Sequence, residues 1–161
     1  MKEDKYLERT SDEINDKYEE GKTAINRRNF EKARDVFNEI LKEDSEFIPA
    51  YNKLGIIAIF NDDYDEAREW LNKALRKDKE YTPAIMNVGN LMKKQGNKEQ
   101  AKRYYEQAID IDPEYGPAYN NLGVIYREEG NMSQSIKYMK KARKYGGLSV
   151  KTNPEKPLYK E

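Results

Sequence analysis

Glycine recurs at a constant interval of 34 residues along most of this chain. The four positions are Gly21, Gly55, Gly89 and Gly123, although a glycine inside a helix costs about 1 kcal/mol relative to alanine. Other columns keep the same interval: Pro49, Pro83 and Pro117; Ala50, Ala84 and Ala118; Ala33, Ala67 and Ala101; Asn29, Asp63, Asn97 and Asn131. So many columns in one frame indicate repeats that stack on one another.

Each repeat is predicted to contain two helices, which we call helix A and helix B. Proline suits the first turn of a helix, so the periodic prolines predict where helix A begins. The Asn/Asp column falls where helix B needs a side-chain oxygen as its N-cap. The glycine column is expected where helix A is crossed by a neighbouring helix, because a Cβ there would push the two backbones apart.

The repeated pattern resembles the tetratricopeptide repeat (TPR). The residues that carry the resemblance are Tyr119, Leu122, Gly123, Tyr126, Ser135, Met139 and Ala142, with Ile85, Val88, Gly89, Met92, Ala101, Tyr105, Ala108 and Pro113 one repeat earlier. The resemblance implies an all-α fold, an α-solenoid of antiparallel helix pairs wound as a right-handed superhelix.

We place the four repeats at 14–47, 48–81, 82–115 and 116–149, between a polar N-terminal segment (1–13) and a C-terminal tail (150–161). Thr10 to Glu13, the sequence TSDE, is predicted to be the capping box of the first helix.

In TPR proteins helix A lines a concave groove that receives an extended peptide or a partner helix. The resemblance therefore implies a protein–protein interaction scaffold whose partner is a protein or peptide. The groove residues carried over by position are Asn52, Lys53, Ile56, Phe60, Met86, Asn87, Asn90, Lys94, Asn120, Asn121, Val124 and Arg127.

The density of asparagine on this face is informative, because asparagine is a mediocre helix former. Its amide donates and accepts hydrogen bonds, so it can hold a peptide backbone without reading the peptide's sequence. Asn87 and Asn121 occupy equivalent positions and resemble the start of an asparagine ladder, which Lys53 and Glu19 interrupt. The alternative is that these amides bond neighbouring helices. If they bind a ligand instead, alanine at Asn87 and Asn121 should leave stability nearly unchanged.

Lysines near the same face would suit an acidic peptide or a C-terminal carboxylate. One TPR subclass clamps the tails of chaperones with two Lys, two Asn and one Arg. Only Asn87 matches that pattern in either frame, so the sequence argues against chaperone tails as partners. Ile56 and Phe60 either anchor an apolar side chain of the partner or pack between neighbouring helices.

Composition argues against several other classes of protein. The chain has no Cys, which removes a cysteine nucleophile and a thiolate zinc site, and no His, which removes the commonest general base and the commonest metal ligand. The acidic run 61–70 lacks the glycine and closing glutamate of a calcium loop. We predict no enzyme, no metal and no cofactor. No apolar signal segment or membrane span is evident, so a cytoplasmic location is expected.

The C-terminal end is basic. The stretch from Met132 to Glu161 contains eight Lys or Arg and two Glu, a net charge of +6. An alternative function is therefore binding of nucleic acid or an acidic partner through the basic helix at 137–147, although its tyrosines occupy ordinary core positions. We expect a monomer with the tail folded back or disordered; a dimer through this end is the alternative.

Overall fold

The computed structural model describes residues 4–147, and this part of the chain contains nine α-helices and no strand. They are α1 (Asp4–Leu7), α2 (Asp12–Asn26), α3 (Phe30–Glu43), α4 (Ile48–Phe60), α5 (Tyr64–Lys77), α6 (Thr82–Lys94), α7 (Lys98–Ile111), α8 (Gly116–Glu128) and α9 (Met132–Lys144). The expected fold-back of the tail, with the segment 150–161, lies outside the described residues.

Helices α2 to α9 form four pairs, and each helix A packs most extensively against the helix B that follows it. The prolines occupy the first turn of α4, α6 and α8, as predicted. Helices A of successive repeats also contact one another, α2 with α4 and α4 with α6. The result is the all-α solenoid that the repeat pattern predicts.

The turn from helix A to helix B has one geometry in all four repeats. The residue two positions after the helix adopts a positive φ: Arg28 (59°), Asp62 (58°), Gly96 (83°) and Gly130 (78°). The next residue belongs to the Asn/Asp column, and its N–H bonds to a carbonyl five residues earlier, as Asn29 does to Ala24 at 2.9 Å. This is a Schellman motif. The residues of the Asn/Asp column therefore terminate helix A through their backbone N–H groups.

The same column starts helix B with its side chain. Asn29, Asp63 and Asn131 each accept a hydrogen bond from the N–H three residues later, as the N-cap prediction requires. Asn97 holds the equivalent position, but its side chain makes no capping bond.

Each periodic glycine lies against the large side chain of helix B in its own repeat. A Cβ at Gly21 would come within 2.6 Å of Phe37, and a Cβ at Gly89 within 2.6 Å of Tyr105. Gly55 faces Leu71 in the same way, and Gly123 faces Met139 at 3.0 Å. The glycine column therefore lies where helix A is crossed by helix B.

The core runs along the stack as a series of clusters between the helices. In the first, the ring of Tyr18 packs edge-on against Phe37 and Phe47, with centroids 5.9 and 5.3 Å apart. Later clusters are built around Leu71 and Tyr105.

The start of the first repeat differs from the prediction. Ser11, not Thr10, is the N-cap of α2, and its hydroxyl accepts from the N–H of Ile14 at 3.3 Å. The predicted capping box is therefore wrong by one residue. Starting at Ser11 places Asp12 and Glu13 in the first turn, where the helix dipole favours negative charge.

Helix α1 lies against the turn between the second and third repeats. The side chains of Lys5 and Tyr6 both donate to Asp78, each at 2.7 Å. The Tyr6 ring also packs edge-on against Tyr81, with centroids 5.7 Å apart. Residues more than 70 positions apart are thereby joined.

Candidate peptide-binding groove

A pocket of about 470 Å³ opens between α4 and α6, the A helices of the second and third repeats. Five of its lining residues belong to the predicted groove set and the other two neighbour them: Ile56, Phe60, Asn87, Asn90 and Lys94, with Ile59 and Lys93. The phase of helix A therefore brings these side chains to one surface, as predicted.

One wall of the pocket is apolar. Ile59 is buried and Ile56 is half-buried, whereas the side chain of Phe60 is 51% exposed. The Phe60 ring stacks on Phe30 with centroids 5.3 Å apart and planes 17° apart. This contact holds one face of Phe60 and leaves much of the side chain accessible. Ile59 is mainly a packing residue, and Phe60 is available to a partner.

The opposite wall, on α6, contains Asn87 and Asn90, which belong to a series of asparagines that bond one another across three A helices. Asn121 donates from its side-chain nitrogen to Asn90 Oδ1 at 2.8 Å, and Asn90 donates to Asn87 Oδ1 at 2.8 Å. Asn87 in turn donates to Asn52 Oδ1 at 2.9 Å. We call these four residues the amide chain. It runs from α8 through α6 to α4.

The amide chain is also held from helix B. The hydroxyl of Tyr105 on α7 donates to Asn90 Oδ1 at 2.7 Å. Burial, together with the charge of Glu128, raises the pKa of Tyr105 well above its ordinary value, so the hydroxyl keeps its proton. The oxygen of Asn90 thus accepts from both Tyr105 and Asn121, which occupies both of its lone pairs.

Lysines form the rim. Lys93 Nζ pairs with Glu128 at 2.9 Å, and Lys98 pairs with the other oxygen of Glu128 at 3.0 Å. These two hydrogen bonds hold the pKa of Glu128 below its usual value. Lys94 is half-exposed, and its salt-bridge partner among residues 4–147 is the distant Asp62, at 3.8 Å. The rim therefore carries more positive than negative charge.

The other predicted groove residues do not line the pocket. Lys53 is half-buried with its amine 5.7 Å from the centre of the Tyr18 ring, and Met86 packs against the third core cluster. In the fourth repeat Asn120 and Val124 are half-buried, and Arg127 is exposed in the last turn of α8.

The amides of Asn87 and Asn121 take part in bonds between neighbouring A helices, which is the alternative that the sequence left open. Asn90 lies between them, and Asn52 rather than Lys53 extends the chain into the second repeat. That these amides hold a peptide stays a prediction. Asn52 and Asn87 are 1% and 4% exposed. Removing a buried partner costs about 1–3 kcal/mol. A neutral effect of alanine at Asn87 is therefore no longer expected.

The basic helix α9 presents its charge to solvent. The five cations Lys137, Lys140, Lys141, Arg143 and Lys144 are all exposed, and none forms a salt bridge within residues 4–147. The two tyrosines in this stretch pack against other aromatic rings. Tyr138 stacks on Tyr126 with ring centroids 5.3 Å apart, and the ring centroids of Tyr145 and Tyr119 are 5.6 Å apart.

Two further properties concern the described residues only. No group of three or more His, Cys, Asp or Glu side chains there could hold a metal ion. Likewise, none of the helices between Asp4 and Lys144 is long and apolar enough to cross a membrane.

Stacked helix pairs with a pocket between successive A helices define a helical-repeat protein. Two models of the tetratricopeptide repeat match the chain, one over residues 18–81 and one over 83–115. Together they span more than half of its length. The chain belongs to the tetratricopeptide repeat family. A third model, the Est1 DNA/RNA binding domain, matches residues 101–139.

Solved structures show the same fold. A crystal structure of MamA matches with a TM-score of 0.61 at 24% identity, over 89% of this chain and 84% of MamA. A thermophilic TPR protein from Thermus thermophilus matches with a TM-score of 0.70 at 17% identity, over 82% and 74%. YrrB, described as a TPR protein with an unusual peptide-binding site, matches with a TM-score of 0.56 at 21% identity, over 80% and 66%. Among curated proteins, none matches.

Proposed function

We propose that this protein is a protein-interaction module that holds a peptide segment of a partner protein in the concave groove. The observation that carries the proposal is the pocket between α4 and α6, which places an exposed apolar ring opposite a wall of amides. Binding pockets commonly combine apolar walls with a few polar groups that fix orientation. Membership of the TPR family and the peptide-binding site ascribed to YrrB support the same function.

Affinity capture from an extract of the native cell tests this proposal, with three baits compared by quantitative mass spectrometry. The baits are the parent chain, Phe60→Ser in the pocket, and Ile136→Ser on α9. Phe60 and Ile136 are 51% and 52% exposed, so the two substitutions remove similar apolar surface at different places. We expect a partner that the parent and Ile136→Ser retain and Phe60→Ser loses. Partners retained equally by all three baits would contradict the proposal.

A second candidate function is binding of nucleic acid or an acidic protein through α9. It is favoured by the five solvent-facing cations of that helix and by the Est1 match, which reaches residue 139. The engaged tyrosines count against it, since stacking on bases requires accessible aromatic faces.

Fluorescence anisotropy with labelled single-stranded RNA and DNA at several salt concentrations distinguishes the two functions. If α9 binds phosphates, affinity falls steeply with salt, and changing Lys140 and Lys144 to Gln reduces the slope. Absence of binding at low salt would remove nucleic acid as a ligand of α9 and leave the groove proposal intact.

A further inference from the structure

We infer that the pocket between α4 and α6 selects a peptide segment in which a carboxylate lies close to a bulky apolar side chain. The inference rests on the proposed function and adds the chemistry of the partner. It follows from three properties of the pocket, which are the direction of its hydrogen bonds, the charge of its rim and the position of its apolar wall.

The amide chain leaves the polar wall with a donor rather than an acceptor for a ligand. The oxygen of Asn90 already accepts two hydrogen bonds, and the oxygen of Asn87 accepts one from Asn90. Each of the two side-chain nitrogens uses a single N–H within the chain, and an amide nitrogen has two. What Asn90, which is half-buried, can still offer a ligand is therefore N–H, whereas Asn87 is only 4% exposed and holds Asn90 in place through its oxygen. Donors of this kind match an acceptor such as a carboxylate.

The rim adds positive charge that a ligand can use. Lys94 is half-exposed and lies 3.8 Å from Asp62, which is a weak contact. Lys93 pairs with Glu128, but Lys98 holds the other oxygen of that carboxylate. Lys93 can therefore turn to a ligand without leaving Glu128 unpaired. Asp62 keeps the hydrogen bond that it accepts from the hydroxyl of Tyr64, at 3.1 Å, when Lys94 turns to a ligand.

The apolar wall restricts what else the ligand must carry. Phe60 and Ile56 lie in the same pocket of about 470 Å³ as the two asparagines. A bare anion would satisfy the donors but leave the exposed ring in water. A purely apolar segment would cover the ring but desolvate the lysines and amide N–H groups without replacing their hydrogen bonds, which is costly. A segment with both groups meets both requirements.

The test uses synthetic peptides of a Gly/Ser background that contain one Phe with Glu two residues away. Matched peptides replace the Glu by Gln or the Phe by Ala. Binding is followed by NMR titration of the full chain labelled with ¹⁵N, which measures weak affinities and locates the site. We expect the Glu/Phe peptide to shift resonances in 56–60 and 87–94, and either replacement to weaken binding by about three- to tenfold.

A pair of protein variants tests the role of the rim. Lys94→Gln should weaken binding of the Glu peptide and leave binding of the Gln peptide unaffected. The effects of the protein substitution and the peptide substitution are then coupled. Lys79→Gln, at an exposed residue in the turn between α5 and α6 that lines neither the pocket nor α9, removes the same charge elsewhere and should change neither affinity. Equal affinities for the Glu and Gln peptides, shifts confined to other surfaces, or no binding of any peptide would overturn the inference.

Failure of the inference about the peptide's chemistry can be distinguished from failure of the proposed function. If affinity capture yields a partner that depends on Phe60 while the peptides show no preference for Glu, the groove binds a partner of different chemistry. If no partner depends on Phe60, the proposed function itself is wrong.

Discussion

Gly89 and Gly123 occupy the same position in successive repeats, but the side chains that face them differ in how easily they can move aside. A Cβ at Gly89 meets the Tyr105 ring at 2.6 Å and the Ala101 carbonyl oxygen at 3.2 Å. Tyr105 is fully buried and tied to Asn90, so it cannot withdraw. The three atoms nearest to a Cβ at Gly123 all belong to the flexible side chain of Met139, at 3.0–3.2 Å.

We therefore predict opposite effects of alanine at these two glycines. Gly89→Ala should destabilise the protein by about 1–2 kcal/mol, because overpacking outweighs the gain in helix propensity. Gly123→Ala should be neutral or stabilising by up to about 1 kcal/mol. Urea unfolding followed by circular dichroism measures both. Equal shifts of the two midpoints would show that the neighbouring side chain does not decide the effect.

A second residue-scale prediction concerns the amide chain. Asn87→Ala removes the donor to the buried oxygen of Asn52 and the acceptor of Asn90, so a loss of about 1–3 kcal/mol is expected. Asn121→Ala should cost less, since Asn90 keeps its bond from Tyr105. The comparison requires the free energy of unfolding of each variant. An Asn87→Ala chain as stable as the parent would mean that water replaces the lost partners.

At the scale of the helices, the A helices differ in the residue that adopts the positive φ just after their C-terminal end. Some of these residues tolerate that backbone conformation better than others. Arg28 and Gly96 hold equivalent positions with φ of 59° and 83°. The left-handed region costs a residue with a Cβ about 1–2 kcal/mol, and glycine avoids that cost. A Cβ at Gly96 would meet nothing within 4 Å, so only the backbone conformation matters there.

From this we predict that Arg28→Gly stabilises the protein by about 0.5–1 kcal/mol and that Gly96→Ala destabilises it by about 1 kcal/mol. The midpoints of urea unfolding, at unchanged m-value, provide the measurement. Stabilisation by both substitutions would refute the backbone argument.

The repeat period was sufficient to predict the helix pairs, the glycine crossings and the N-caps of α3, α5 and α9, because each of these depends on residues within one repeat. It was insufficient for the amide chain. Asn52 and Asn87 differ by 35 positions, not 34, and which side chains meet depends on how one helix A is rotated against the next. The contact of Tyr6 with Tyr81 occurs once, so periodicity carries no sign of it.

At the scale of the whole molecule, ion pairs between repeats make the free energy of unfolding depend on pH. Arg34 on α3 donates twice to Glu66 on α5, once at 3.1 Å, and these bonds hold the pKa of Glu66 below its usual value. Lys93 and Lys98 lower the pKa of Glu128 in the same way. Such carboxylates contribute stability above their unfolded pKa, about 4.3 for Glu, which is lost as pH falls through the folded pKa.

At alkaline pH, stability is lost as pH rises rather than as it falls. Burial raises the pKa of Tyr105, so its contribution is complete below the unfolded value of about 10 and is lost as pH rises through the folded pKa. Between these limits the chain has neither His nor Cys, so no side chain has an ordinary pKa between about 5 and 8.

The free energy of unfolding should therefore be flat between about pH 6 and 8.5, and fall below about pH 5 and above about pH 10. Urea unfolding across this range provides the measurement. Glu66→Gln should make the acid limb shallower, because one carboxylate with a lowered pKa is gone. Glu39→Gln is the control, since Glu39 is exposed and forms no ion pair within the described residues. A marked loss of stability between pH 6 and 8 would contradict this account, because no side chain is expected to titrate there.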